Sequence, residues 1–247
     1  MKQTKHLMGM PITVEILDAG ANTNVFSDIW SHFSSVDRKY STYKKDSEIS
    51  KINNGLQTTK WSPEMKTILR LCEQTKQETG GYFNIIHNNK RDPSGLVKGW
   101  AINNAAKLLL ARGFQNFYIE AGGDIQVHGL NAEKKLWRVG IRNPFKRTEV
   151  VKIVAVTTSG VATSGTYIRG QHIYNPHKPD GLVKEVASLT VVGPNIYEAD
   201  RFATAAFAMG KAGIEFIESL ASCEAYMIDD KKQAVFTSGF EKYVVKA

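Results

Sequence analysis

A chain of 247 residues is long enough to bury a large hydrophobic core, and its 42% hydrophobic and 23% charged residues are ordinary for a globular protein. This composition excludes intrinsic disorder, collagen-like sequence and a coiled coil. The formal net charge is +8, but the lysines are scattered and form no continuous stripe. Because no DNA- or RNA-binding motif accompanies them, a solvated basic surface is favoured over a nucleic-acid interface.

The cysteines and the apolar segments bear on the cell compartment. Cys72 and Cys223 fit no metal-ligand or redox spacing, which favours two buried free thiols and leaves one disulfide as the alternative. The N-terminus lacks an apolar run of signal-peptide length, and no later segment is long enough to span a bilayer. As written, the sequence predicts a cytoplasmic protein, whereas a processed form of an exported or periplasmic precursor would look the same.

Helical patterns dominate the first half of the chain. Asn22 or Thr23 opens an amphipathic helix whose apolar residues recur at helical spacing. Ser62 followed by Pro63 has the pattern of an N-cap and first turn. The elements predicted here are a strand over residues 10–17, a helix from about residue 22, a helix from residue 62 to the glycines at 80–81, and a helix over about 96–112.

Strand patterns dominate the second half. They lie at residues 137–142, 152–157, 189–192, 225–228 and 234–237, and a helix or broken pair of helices over 198–220 interrupts them. Strands and helices mix without a regular βαβ alternation, which predicts an α+β fold with mainly antiparallel sheets flanked by helices. No linker or repeat divides the chain, so residues 1–247 are expected to form one domain.

Common catalytic motifs are absent. The chain has no Rossmann glycine pattern, no G-x-S-x-G and no H-E-x-x-H. Residues 160–166 have the glycine spacing of a phosphate loop but lack its lysine. The remaining candidates are polar, glycine-rich segments within an otherwise ordinary sequence.

Two of these segments precede helices. Residues 40–49 are either a turn with a helix cap or a polar loop that offers an aromatic ring for stacking. Residues 91–101 place Asp92, a tight turn and Lys98 at the start of a helix, whose free N–H groups and partial positive charge suit a phosphate. A plain capped helix start is an equally good interpretation.

Two more segments lie in the second half. Residues 157–176 carry small hydroxyl residues beside glycine, which lets a ligand approach the backbone closely, and they include His172. Asp200 and Thr204 project from one face of a helix, and their hard oxygens suit Mg²⁺. Taken alone, each pattern favours a structural role: a lone histidine, and a threonine bonded within its own helix.

Together and in this order, the segments resemble the ApbE family, the FAD:protein FMN transferases. The resemblance extends from Met8 to Gly210 and covers most of the chain. The motifs that carry it are Met8-Gly9, Tyr40-Ser-Thr-Tyr43, Asp46-Ser47-Glu48, Gly80-Gly-Tyr-Phe83, Asp92 through Gly99, Gly122-Gly123-Asp124, Thr158-Ser159-Gly160, His172-Ile173-x-x-Pro176 and Ala199-Asp200-x-x-x-Thr204.

The resemblance implies a role for each matching residue. His172 is expected beside the reacting phosphate as a general base. Gly95 (through its carbonyl), Asp200 and Thr204 are expected to hold Mg²⁺. The residues expected at the FAD site are Met8, Tyr43, Tyr82, Phe83, Asn84, Asp92, Lys98 and Ile173. Asn84 departs from the family, which usually has Asp there, so we expect FAD binding to survive while the rate or the metal affinity changes.

The reaction that the resemblance implies is cleavage of FAD, attachment of FMN through a phosphoester bond to a Thr or Ser of an acceptor protein, and release of AMP. A membrane-associated redox protein is one candidate acceptor. Two alternatives stay open. One is a magnesium-dependent FAD pyrophosphatase that uses water as the nucleophile. The other is a non-catalytic FAD-binding protein, against which the joint presence of Asp200, Thr204 and His172 argues.

Overall fold

The structure is a computed structural model, which describes residues 1–146, 148–165, 173–178 and 181–245. The helices are α1 (Thr23–Tyr40), α2 (Glu48–Asn53), α3 (Pro63–Glu78), α4 (Ser94–Ala111), α5 (Ile196–Met209) and α6 (Gly213–Glu218). The strands are β1 (Lys2–Leu7), β2 (Met10–Ile16), β3 (Ile86–His87), β4 (Lys90–Arg91), β5 (Phe117–Ala121), β6 (Asp124–His128), β7 (Trp137–Arg142), β8 (Val150–Val156), β9 (Ser159–Gly165), β10 (Val186–Gly193), β11 (Glu224–Asp229) and β12 (Ala234–Phe236).

Eight strands form one sheet in the order β1-β2-β5-β6-β9-β10-β11-β12, and its neighbouring strands pair antiparallel. Two hairpins, β3-β4 and β7-β8, stand apart from it. The predicted α+β class with antiparallel sheets and flanking helices is confirmed.

Hydrophobic clusters cover both faces of this sheet. Successive residues of a strand point to opposite faces, and on β10 Val191 belongs to the larger cluster while Val192 belongs to the smaller one. The larger cluster packs the sheet against the helices, and α4 contacts both α1 and α5. The smaller cluster lies under the β7-β8 hairpin. The helices therefore gather on one face of the sheet, where the cleft described below forms.

Local sequence signals set the helix starts. Asn22 caps α1 by accepting the N–H groups of Asn24 and Val25, and Ser62 caps α3 by accepting the N–H of Met65. Such caps satisfy N–H groups that have no partner within the helix. These two predicted helices are confirmed. Of the two forms left open for residues 198–220, the structure has the broken pair, α5 and α6, with the break at Gly210, which has a φ of +70°.

The polar run at residues 160–166 proves to lie mostly in a central strand. Residues 160–165 belong to β9, which pairs with β6 on one side and β10 on the other. A Cβ on Gly160 would lie only 2.1 Å from the backbone nitrogen of Ile196. This glycine is therefore required for the close approach of β9 to the start of α5, which explains the spacing without a phosphate loop.

Two further expectations concern the thiols and the apolar segments. Cys72 and Cys223 are both free and buried. Over the described ranges, no helix combines the length and the apolar character needed to cross a bilayer.

Candidate functional site

A cleft of about 980 Å³ opens beside the first turns of α4 and the middle of α5. Its walls come from residues 82–95, the end of β9, residues 173–178, Gly181 and Leu182. Most of the residues predicted from the resemblance line it together: Tyr82, Phe83, Asn84, Asp92, Gly95, Lys98, Ile173, Asp200 and Thr204.

Two glycines of α4 let it approach α5 at the floor of the cleft. A Cβ on Gly99 would lie 2.7 Å from Cβ of Asp200, and one on Gly95 would lie 3.1 Å from Cγ2 of Thr204. Gly95 and Gly99 are four residues apart on α4, and Asp200 and Thr204 are four residues apart on α5. The two glycines therefore lie on one side of α4 and face the two polar residues on one side of α5. The backbone N–H of Gly99 donates to Oδ2 of Asp200 at 2.7 Å. The helix contact thus fixes the orientation of the Asp200 carboxylate.

Three charged side chains meet behind this floor. Nζ of Lys98 lies 2.6 Å from Oδ2 of Asp124 and 3.6 Å from Oδ1 of Asp200. Asp124 and Asp200 are 1% and 3% exposed, so both carboxyl groups are almost closed to solvent, whereas the side chain of Lys98 is 18% exposed. Burial raises the pKa of Asp200, Lys98 opposes that shift, and Asp124 adds to it. Among the described residues, the cluster sets two carboxyl groups against one ammonium, an arrangement that favours a bound cation.

The neighbouring oxygens fit Mg²⁺. Oγ1 of Thr204 lies 3.4 Å from the carbonyl oxygen of Gly95, and both residues line the cleft with Asp200. Within the described part of the chain, no group of three or more His, Cys, Asp or Glu side chains could hold a metal ion. A Mg²⁺ ion here would therefore rely on one carboxylate, a hydroxyl, a carbonyl and oxygens from water or phosphate, which is its usual preference.

Hydrogen bonds hold the opposite wall. Tyr174 donates its hydroxyl to the carbonyl oxygens of Ile86 and Asn84, at 2.8 and 3.2 Å. The side chain of Asn84 accepts the N–H of Ile86 at 2.9 Å, and Asp92 accepts the N–H of Ser94 at 3.0 Å. The two polar residues predicted at the FAD site on this wall therefore also shape its backbone.

The model of the ApbE family matches residues 8–89 and 86–227. The chain belongs to the ApbE family. The FAD:protein FMN transferase of Vibrio cholerae is 30% identical over 161 residues, which are 62% of this chain and 47% of the relative. That of Haemophilus influenzae is 24% identical over 273 residues, which cover 83% of this chain and 79% of the relative. The chain thus spans about half the length of the first of these relatives.

Solved structures agree on the fold. The flavin transferase ApbE from Vibrio cholerae superposes with a TM-score of 0.85 at 22% identity, over 98% of both chains. The ApbE protein from Thermotoga maritima gives 0.86 at 18% identity, over 100% of this chain and 99% of the other.

Three residues predicted from the ApbE resemblance are not part of the described cleft. Tyr43 is 97% exposed, and neither it nor Met8 lines the cleft. Met8 lies in the β1-β2 turn with a φ of +54° and packs against the larger hydrophobic cluster. His172 lies outside the described residues. The proposed contacts of these three residues with FAD or its phosphates stay predictions.

The sequence prediction of site residues missed several residues of this ApbE-family site, among them Asp124 and Asn53. Asp124 was recognised only as part of the Gly122-Gly123-Asp124 motif, with no role assigned to it, yet it is buried against Lys98. Asn53 lines the cleft and brackets the backbone of Arg91 with two hydrogen bonds, at 2.8 and 2.9 Å. An acid directly after two glycines at the end of a strand was the available signal for Asp124; Asn53 had none.

Proposed function

We propose that this chain is a magnesium-dependent FAD:protein FMN transferase. The observation that carries the proposal is the cleft, where Asp200, Thr204 and Gly95 present hard oxygens beside Lys98 and the start of α4. The curated relatives named FAD:protein FMN transferase support the same activity. The acceptor would be a protein with a Thr or Ser at its modification site.

Asp200, Thr204 and the carbonyl of Gly95 would hold the cation. When bound, Mg²⁺ supplies neutralisation of the charge on the pyrophosphate oxygens. Lys98 adds a positive charge that is 18% exposed at the cleft. The start of α4 adds the partial positive charge of a helix N-terminus. These features support the pyrophosphate of FAD on this side, with the half-buried Tyr82 and Ile173 available for apolar contacts.

The proposed reaction is a phosphoryl-group transfer. The hydroxyl oxygen of the acceptor attacks the phosphorus of the FMN half of FAD, and the bond from that phosphorus to the bridging oxygen breaks. AMP leaves with the bridging oxygen, while the hydroxyl proton passes to a base, for which His172 is the predicted residue. Positioning and charge neutralisation supply most of the catalysis in reactions of this type.

Product analysis tests the proposal. Purified protein would be incubated with FAD and Mg²⁺, with and without a peptide carrying an acceptor threonine, and AMP and FMN would be followed by chromatography. The proposal predicts AMP formation that needs the peptide and stops with EDTA. AMP with equimolar free FMN, independent of the peptide, would identify a pyrophosphatase instead. FAD that stays bound and intact would identify a flavin-binding protein.

A further inference from the structure

Asp124 is the most buried charged residue in the cluster behind the cleft. It begins β6, directly after the Gly122-Gly123 turn, and its side chain is 2% exposed. Oδ1 accepts the backbone N–H of Thr163 on β9 at 3.2 Å, which ties the carboxylate to the centre of the sheet. Oδ2 faces Nζ of Lys98 at 2.6 Å. Asp124 does not line the cleft itself, so it would act on ligands through its neighbours Lys98 and Asp200.

The position of the ammonium decides which oxygens of Asp200 are available. Oδ2 of Asp200 is engaged by the N–H of Gly99, so Oδ1 is the oxygen left for a cation. Nζ of Lys98 stands 3.6 Å from that Oδ1, a full ångström farther than from Asp124. Without the negative charge of Asp124, the attraction of the Asp200 carboxylate for the ammonium would meet less opposition, and the ammonium would move toward Oδ1. A half-buried ammonium favours a close carboxylate, because partial loss of solvent strengthens the attraction between opposite charges.

We propose that Asp124 is a positioning residue for the cation site: it holds the Lys98 ammonium on its own Oδ2 and so leaves Oδ1 of Asp200 open to the metal ion. This inference rests on the proposed function only in taking Asp200 as a cation ligand. It assigns a separate task to each acid of the cluster. Asp200 binds the cation, whereas Asp124 restrains the lysine that would compete with it.

Asp229 offers a matched control outside the cleft. It is also a buried aspartate, 3% exposed, at the end of a strand; it accepts backbone N–H groups and lies 3.3 Å from a lysine, Lys211. Asp229→Asn therefore makes the same chemical change in a similar setting without touching the cluster.

Mn²⁺ binding to the purified protein, measured by loss of the free-Mn²⁺ electron paramagnetic resonance signal, tests the inference without any catalytic readout. We expect Asp124→Asn to weaken Mn²⁺ binding by roughly 10- to 100-fold, the range typical of residues that orient metal ligands. Asp229→Asn should leave the affinity unchanged. Thermal unfolding of each variant without metal would show that the affinities compare folded proteins.

The decisive variant removes the lysine. In a Lys98→Met background there is no ammonium to restrain, so adding Asp124→Asn should weaken Mn²⁺ binding by no more than about threefold, because coupled residues are non-additive. An undiminished loss in that background would overturn the inference, since Asp124 would then act on the cation directly or through its contact with Asp200. Unchanged binding by the single variant would also overturn it. If the wild type binds no Mn²⁺, the positioning role fails, while flavin transfer can still be judged from AMP and labelled peptide.

Discussion

Asp200 on α5 and Asp229 at the end of β11 are both buried aspartates beside a lysine, yet their surroundings differ. Oδ1 of Asp229 accepts the N–H groups of Lys231 and Gln233 from its own turn, and these bonds help to lower its pKa. Asp200 receives one N–H, from Gly99 on another helix, and burial raises its pKa. A local turn stabilises one carboxylate, whereas packing between helices holds the other where its charge is unfavourable.

The difference indicates which aspartate serves the fold and which serves a ligand. A carboxylate that accepts hydrogen bonds from its own turn is stabilised without a ligand. A carboxylate that is desolvated beside a second acid is a candidate for function, because strongly perturbed groups in a cleft cluster at functional sites.

The largest expected effect is a loss of flavin transfer when Asp200, but not Asp229, is replaced by asparagine. Asp200→Asn keeps the shape of the side chain and an oxygen for the Gly99 N–H but removes the charge needed for a cation. We expect flavin transfer to fall by at least the roughly 100-fold that loss of a ligand-orienting residue can cost. Asp229→Asn should keep activity within about twofold, since it lies outside the cleft. Initial rates of AMP formation measure the activity of both variants. Equal losses of activity would contradict the assignment of Asp200 to a ligand and of Asp229 to the fold.

Helix packing around Asp200 is the next target. Gly99→Ala would place a Cβ 2.7 Å from both Cβ of Asp200 and the carbonyl oxygen of Ile196. We expect the free energy of unfolding to fall by about 1–3 kcal/mol, the usual cost of overpacking. Ser94→Ala, at an exposed position on the same helix, is the control and should change little. Urea denaturation measures both, and a neutral Gly99→Ala would show that α4 and α5 are less tightly coupled than the contact implies.

The sequence predicted the local elements of the fold better than the roles of the residues at the cleft. The helix starts, the strands β2 and β7, and the buried thiols followed from caps and periodicity, because those signals are local. The roles of Asp200 and Thr204 needed the family resemblance, since a four-residue spacing is equally typical of a plain helix. The Gly122-Gly123-Asp124 motif drew attention to Asp124, but its contacts could not be predicted, because its partner Lys98 lies 26 residues away and its N–H donor belongs to β9.

A smaller effect concerns acid stability. The N–H of Gln233 chiefly lowers the pKa of Asp229 below its ordinary 3.8, with Lys211 also contributing. A carboxyl with a depressed folded-state pKa stabilises the fold above its unfolded-state pKa and loses that contribution as the pH falls through the folded-state pKa. Asp229→Asn should therefore lower stability at pH 6 and reduce the loss of stability between pH 5 and pH 2. Urea denaturation across this range would show the flatter profile, and a parallel shift at every pH would contradict it.

Thiol reactivity should be the smallest signal. Burial raises the pKa of Cys72 to about 12 and that of Cys223 to about 11. Because the thiolate is the reactive form, neither thiol should react measurably with a disulfide reagent at pH 8 in the native protein, while both should react in denaturant. Rapid labelling of the native Asp200→Asn or Gly99→Ala variants would reveal local opening rather than a specific effect on the site.

The mass of an acceptor peptide tests the central claim most directly. The peptide would carry one threonine, with a matched peptide carrying alanine in its place, and each would be incubated with the protein, FAD and Mg²⁺. We predict that only the threonine peptide gains the mass of one FMN phosphoester, and that EDTA prevents the gain. FAD consumption with both peptides unmodified would contradict protein flavinylation of a hydroxyl and would leave hydrolysis as the activity of this cleft.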